Sequence, residues 1–241
     1  MEILAIIPAR GGSKGLLDKN ILPLNGHPLI SYSIAAGLQT SEINRVICST
    51  DSNIIAEVAQ EYGAETPFMR PAIISQDNSS DFEAFSHALN WLELNENYFP
   101  DIVIQLRPTS PIRFVSDIQE AINSLIKNPK IDSVRAISEP ITTPFKMWKM
   151  DNEKILEPLL SLPDISEPYN AARQELPKIW AQTGTLEVIW SQTIKIKKSM
   201  TGDKILGLKI DPDTYIDIDT LNSFLLAELV MKNSSCIKPY K

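Results

Sequence analysis

The chain of 241 residues has little that would tie it to a secreted scaffold, a membrane or a nucleic acid. It carries only two cysteines, Cys48 inside an apolar run and Cys236 near the tail, which excludes a disulfide framework and suits a reducing compartment. Its two histidines, His27 and His87, have no companions at metal-ligand spacing, so both are read as structural. No apolar run approaches the length that spans a bilayer. The N-terminal run Ile3-Leu4-Ala5-Ile6-Ile7 is too short for a signal peptide and lacks its basic flank. Positive charge is not in excess either: a formal net charge of −7 argues against a surface that neutralises nucleic-acid or lipid phosphates. Repeats and low-complexity tracts are absent. The expectation is a cytoplasmic enzyme with no nucleic-acid or membrane partner.

What is present points to one α/β domain with an insertion, since 43% hydrophobic residues over this length can bury a substantial core. Short apolar runs over 3–7, 45–49, 101–106 and 133–137 alternate with segments at 29–38, 53–62, 82–94 and 117–127. In the latter, apolar residues recur every three or four positions, and Gly63 stands where a helix would end. Such alternation predicts βαβ units and a doubly wound, mostly parallel sheet. Strand-like runs resume at 185–190 and 205–210, and a closing amphipathic helix is expected over 221–231 with Asp219 or Thr220 as its N-cap. Between them, 138–179 holds six prolines and no clean period. It reads as a lid, or as an arm reaching a second subunit, in preference to a solvated loop. Residues 1–137 and 181–241 are therefore assigned to one α/β domain, and 138–180 to an insertion.

Ligands on such sheets gather beyond the carboxyl ends of the strands. The first of these loops, from Arg10-Gly11-Gly12-Ser13-Lys14-Gly15 to Lys19-Asn20, combines three glycines with three cations. Glycines admit phosphate oxygens to backbone N–H groups, Arg10 can grip them bidentately, and Lys14 and Lys19 add point charges. The spacing matches neither the Walker loop nor the dinucleotide fingerprint, which weighs against kinase, ATPase and dehydrogenase readings. Near the other end, Asp217 and Asp219 alternate with Ile216 and Ile218. Both carboxylates would then share one face while the isoleucines enter the core. With a triphosphate, such a pair suits Mg²⁺. Asp211 and Asp213 flank Pro212 and read as a turn, and the four tryptophans read as packing residues.

The string Ile7-Pro8-Ala9-Arg10-Gly11-Gly12-Ser13-Lys14-Gly15, followed by Lys19-Asn20, resembles the signature loop of the acylneuraminate cytidylyltransferases, the family that makes CMP-sialic acids. Further similar segments follow in order: Ser49-Thr50-Asp51, Arg70-Pro71, Asp77 with Ser80, His87-Ala88-Leu89, Pro108-Thr109-Ser110-Pro111-Ile112-Arg113, Pro144-Phe145-Lys146, Arg173-Gln174-Glu175-Leu176-Pro177 and Asp217-Ile218-Asp219-Thr220. The resemblance implies an enzyme that joins CMP from CTP to a sialic-acid-like sugar acid, with Mg²⁺ at Asp217 and Asp219. It implies that Arg10, Lys14, Lys19 and Asn20 hold the triphosphate, beside the backbone of Ala9, Gly11, Gly12 and Ser13, and that Arg70 and Ser80 line the nucleotide pocket. Lys146 and Arg173 would face the sugar acid. The family implies a homodimer whose arm reaches the neighbouring site, so these two would serve either their own chain or its partner. Two departures stand out. Arg107 replaces the usual glutamine before Pro-Thr-Ser-Pro, and Ala181-Gln182-Thr183-Gly184 stands where an Asn-Gly pair is common. Arg107 and Gln182 are accordingly read as substrate contacts that bear on specificity.

Transfer at phosphorus depends mainly on alignment and charge neutralisation, so the loop cations and the metal are expected to carry most of the acceleration. No general base stands out; Asp217 is one candidate and a metal-bound hydroxide another. A related nucleotidyltransferase using another sugar or nucleotide is the alternative that Arg107 keeps open. A glycosyltransferase would place its Asp-x-Asp midway along the chain, and a non-catalytic nucleotide-sugar sensor would bind without turnover.

Overall fold

A computed structural model describes residues 1–13 and 15–240. Lys14, expected in the phosphate-binding loop, lies outside the described residues. The strands are β1 (Ile3–Pro8), β2 (Pro23–Leu24), β3 (His27–Pro28), β4 (Arg45–Ser49), β5 (Ile102–Gln105), β6 (Ser133–Ser138), β7 (Trp148–Met150), β8 (Leu156–Pro158), β9 (Ala181–Trp190) and β10 (Ile205–Lys209). The helices are α1 (Leu29–Leu38), α2 (Asn53–Glu61), α3 (Asp81–Glu96), α4 (Val115–Lys127), α5 (Ser191–Lys195) and α6 (Leu221–Lys232). Among the described residues no helix is long and apolar enough to cross a membrane.

Six strands form one sheet in the order β10-β6-β9-β5-β1-β4. β1 runs parallel to β4 and β5, and β10 runs parallel to β6. β9 alone is reversed, antiparallel to both β5 and β6, so the mostly parallel sheet expected from the alternation is present with one strand inverted. Strand β1 shows how both faces are covered. Ile3, Ala5 and Ile7 pack with Ile34, Ile55 and Ile122 from α1, α2 and α4, while Leu4 and Ile6 pack with Phe85, Leu89 and Leu92 of α3. Each isoleucine, leucine or phenylalanine among them contributes about 1.5–3 kcal/mol on burial, and burial on both faces is why the central strands read as unbroken apolar runs.

Helix starts follow local chemistry. Ser80 caps α3 in a reciprocal box with Glu83, Ser52 caps α2, and Thr220 caps α6 with Ser223; of the two residues considered for the last cap, Thr220 fills it. Gly63 follows α2 with φ of 93°. The amphipathic character expected of α6 is incomplete: Ala227 and Met231 turn inward, but Leu221, Leu225, Leu226 and Leu229 are exposed.

The proline-rich segment is not wholly irregular. It holds the antiparallel hairpin β7–β8 and single 3-10 turns at Pro144–Lys146 and Arg173–Glu175. All six hairpin residues are exposed. Trp148 lies tilted against Tyr169, ring centroids 4.5 Å apart, and stays 41% exposed, and Trp180 lies beneath the ammonium of Lys209 at 37% exposure. These two therefore depart from the packing role read for all four tryptophans.

Candidate active site

The carboxyl ends of β1, β4 and β5 lie side by side, and three loops leave the sheet there. Asp51, just past β4, accepts a hydrogen bond at 2.8 Å from the backbone N–H of Gly11. Asn20 is buried and donates through Nδ2 to the carbonyl of Arg10 at 2.9 Å. The loop is thus tied at both ends, one carboxylate and one amide holding its backbone. Arg10 pairs with Asp77 at 2.7 Å. A cavity of about 250 Å³ opens above, lined by Arg10, Lys19, Asn20, Arg70, Ser80 and Arg107 among others. Gly11, Gly12 and Ser13 line a smaller recess beside it, and Ala9 is buried beneath.

The two ends of the chain meet at this loop. Lys19 Nζ lies 2.9 Å from Asp219 Oδ1 and donates to the carbonyl of Ile218 at 2.8 Å. The backbones also touch, since a Cβ built on Gly15 would lie only 2.8 Å from the carbonyl oxygen of Asp219. Residues 215–219 form no ladder, yet the expected alternation holds: Ile216 and Ile218 are buried in the cluster under α6. The Ile218 N–H donates to the carbonyl of Thr109 at 2.8 Å, fastening this segment to the loop after β5. Asp217 Oδ1 is buried and has no hydrogen-bond partner among the described residues. No group of three or more potential metal-ligating side chains occurs among the described residues. Asp211 accepts from the N–H groups of Asp213 and Thr214, as a turn does.

Three arginines surround the loop after β5 in different states. Arg113, 1% exposed, is fully engaged: Nε donates to the Thr185 carbonyl at 2.6 Å, Nη1 to Ser33 Oγ at 3.1 Å and Nη2 to the Arg107 carbonyl at 2.6 Å. Burial pulls its basicity down, and the negative charge of Asp217 pulls it back up. Arg107 pairs with Asp81 at the start of α3, whose Oδ2 also accepts from Gln105 Nε2 at 2.9 Å. Arg70, 7% exposed, has no hydrogen-bond partner for Nε or Nη2 among the described residues. Burial lowers its affinity for the proton, with Asp51 the largest opposing influence. A buried guanidinium left short of acceptors and facing a cavity is a site for an anion.

A bulge in the β6–β9 pairing, between Arg135 and Ile137, brings Gly184 against this constellation. A Cβ there would meet Ser110 Oγ at 2.7 Å, with Arg107 Cδ and Asp217 Oδ2 just beyond. Bulges commonly re-aim backbone beside a site in this way.

The remaining expected contacts lie apart. Gln182, exposed on β9, accepts from Arg135 through Oε1 at 2.6 Å. Arg173 donates to the Pro140 carbonyl at 3.0 Å and lies beside Glu139, lining a second cavity of about 290 Å³ within the arm. Neither Lys146, Arg173 nor Gln182 lines the cavity above the basic loop. His27 meets the Tyr62 hydroxyl, His87 stacks edge-on against Phe68 with its proton affinity lowered by burial and by Arg70, and burial pushes the Cys48 thiol up to about 12. Asp51, Asp77 and Arg113 were legible as residues but not as partners, and Asp81 was missed altogether, because each meets its counterpart only through the folded chain.

Residues 4–178 match the family described as cytidylyltransferase. The chain is 32% identical over 233 residues to the CMP-N,N'-diacetyllegionaminic acid synthase of Legionella pneumophila, covering 96% of this chain and 97% of that protein. It is 31% identical over 242 residues to the N-acylneuraminate cytidylyltransferase of Escherichia coli, covering 97% of this chain and 53% of that one. A solved structure of CMP:2-keto-3-deoxy-manno-octonic acid synthetase complexed with CTP superposes with a TM-score of 0.67 at 16% identity, over 97% of this chain and 99% of that chain. At that identity the likeness shows a shared fold.

Proposed function

Because the chain belongs to the cytidylyltransferase family, we propose that it transfers CMP from CTP to the anomeric hydroxyl of a sialic-acid-like nonulosonic acid. The hydroxyl oxygen attacks the α-phosphorus, the bond to the β-phosphate breaks, and pyrophosphate leaves as the hydroxyl surrenders its proton. The observation that carries this reading is the contact between Lys19 and Asp219. It unites a phosphate-binding loop with an acidic pair 200 residues away.

In this reading Arg10, Lys14 and Lys19 neutralise the triphosphate, with Asn20 and the backbone from Ala9 to Ser13 shaping its cradle. Arg70, buried and short of acceptors, supplies a preorganised charge, and Ser80 lines the same wall. Asp217 and Asp219 would hold Mg²⁺, and the unpartnered Oδ1 of Asp217 fits a hard cation that takes carboxylate oxygens. When bound, that ion would offset charge on the phosphates. Asp217 is also the candidate to accept the hydroxyl proton. Arg107 would face the substrates from the wall it shares with Asp81.

Lys146, Arg173 and Gln182 are proposed to contact the sugar acid. Lys146 and Arg173 lie outside the cavity of their own loop, which supports delivery by a homodimer in which the arm, residues 138–180, serves the partner's nucleotidyltransferase domain, residues 1–137 and 181–241. The exposed apolar side chains of the arm, Ile141, Trp148, Met150, Ile155 and Leu156 among them, suit burial against a second copy. Activation of a sugar acid by CTP suits a cytoplasmic enzyme. The sugar is proposed at the level of its class, since the relatives act on different members.

The test is a matrix of four nucleoside triphosphates against a panel of nonulosonic and shorter ulosonic acids, scoring pyrophosphate with and without Mg²⁺. Pyrophosphate is expected only where CTP, one nonulosonic acid and the metal are together. Release without the acid, or a preference for another nucleotide, would overturn the assignment; a nucleotide-sugar-dependent glycosyltransferase would release no pyrophosphate at all.

A further inference from the structure

Lys19 stands on the carboxylate that the proposed metal needs. Its side chain is 11% exposed while that of Asp219 is 71% exposed, so the buried partner is the cation and the acid reaches inward to it. Two ammonium protons are committed, one to Asp219 Oδ1 and one to the Ile218 carbonyl. The acid's backbone is fixed as well: Gly15 closes against its carbonyl, and its N–H donates to Ser223 Oγ at 3.1 Å. Asp217 differs, for its Oδ1 has no partner among the described residues. A divalent cation approaching this pair alone meets an ammonium already seated on one of its two acids. A polyphosphate approaching the loop alone meets a lysine whose charge is already answered.

We propose that Lys19 is a resident counter-ion that exchanges partners, holding Asp219 in the empty protein and passing to a polyphosphate as a divalent cation takes the two acids. This rests on the metal reading of Asp217 and Asp219. Its consequence is positive coupling between cation and polyphosphate, and linkage makes the coupling reciprocal. Releasing either member of the pair should improve binding of the other member's ligand.

Two equilibrium measurements test this without turnover. Lys19→Gln is expected to bind Mn²⁺ alone, followed by electron paramagnetic resonance, about fivefold or more tightly than the unaltered chain. Asp219→Asn is expected to bind inorganic pyrophosphate in chelator about threefold or more tightly, and that gain should vanish when Lys19→Gln is present too, which separates release of the lysine from simple loss of a negative charge. Unchanged or weaker Mn²⁺ binding by Lys19→Gln overturns the proposal, as does a pyrophosphate gain that persists without Lys19. Should Lys19→Gln fail to fold, Lys19→Met takes its place in both measurements. Asp217→Asn distinguishes the two levels: if Mn²⁺ affinity falls with Asp217→Asn yet does not rise with Lys19→Gln, only the exchange fails. If neither aspartate variant affects Mn²⁺, the metal reading fails with it.

Discussion

Two buried arginines within this site illustrate how the same side chain can serve structure or ligand. Arg113 meets three acceptors, on β9, on α1 and in its own loop; Arg70 leaves Nε and Nη2 without any among the described residues. Replacing Arg113 by methionine strands a buried carbonyl from Thr185 and another from Arg107, so a loss of about 3 kcal/mol is expected, measured by urea unfolding. Arg70→Met removes a charge whose burial is poorly compensated. Its melting temperature is expected to hold or rise, while CTP binding by calorimetry weakens about tenfold or more. An Arg70→Met protein that unfolds easily yet binds CTP normally would reverse the two roles. Arg70 could be picked out because it stands in a recognisable Arg-Pro segment. Its lack of acceptors could not, since a missing partner is a property of the packed interior.

At the level of elements, strand positions were readable because buried parallel strands are continuous apolar runs, and helix positions because one face must be apolar. The inversion of β9 was not, as a period of two is the same in either direction. Nor was the β7–β8 hairpin, whose three-residue strands bury neither face and so leave no pattern. The edge strand β10 is fastened by Asp132, whose carboxylate accepts from Lys197 and from the N–H groups of Asp203 and Lys204. The Lys197 contact, followed by the Lys204 N–H, holds this carboxyl down at about 2. A lowered value means that the folded protein favours the ionised form. The resulting stability is full above the ordinary carboxylate value near 3.9 and is lost as pH falls through about 2,. Asp132→Asn should therefore be less stable than the unaltered chain at pH 7, and the two denaturation midpoints should converge below pH 4. A gap that stays constant across that range would show that this carboxylate is not the anchor.

For the whole molecule, the arm has its own cavity and does not line the one above the basic loop, so the proposed service of that loop by the arm requires a second copy. Mixing two impaired chains tests delivery across a dimer. Lys19→Ala cripples the loop and Arg173→Ala the arm, so after subunit exchange half the dimers are mixed and each has one intact site, restoring about a quarter of full activity. If both groups act within one chain, the mixture stays as inactive as its components. The four exposed leucines of α6 show that the arm is not the only uncovered apolar surface a second copy could use. The meeting of the basic loop with the acidic pair at Lys19 and Asp219 was legible because each lies in one short segment. The proposed sugar contacts were less so, since Arg173 and Gln182 have other partners in the single chain.

The central claim is that this protein makes a new phosphodiester at the α-phosphorus of CTP. Phosphorus-31 NMR of CTP, Mg²⁺ and the preferred nonulosonic acid follows that atom directly. One α-phosphorus signal is expected to convert to a CMP-sugar phosphodiester, with pyrophosphate appearing in equal amount. Cytidine diphosphate with inorganic phosphate, or free CMP formed at the same rate without the acid, would contradict it.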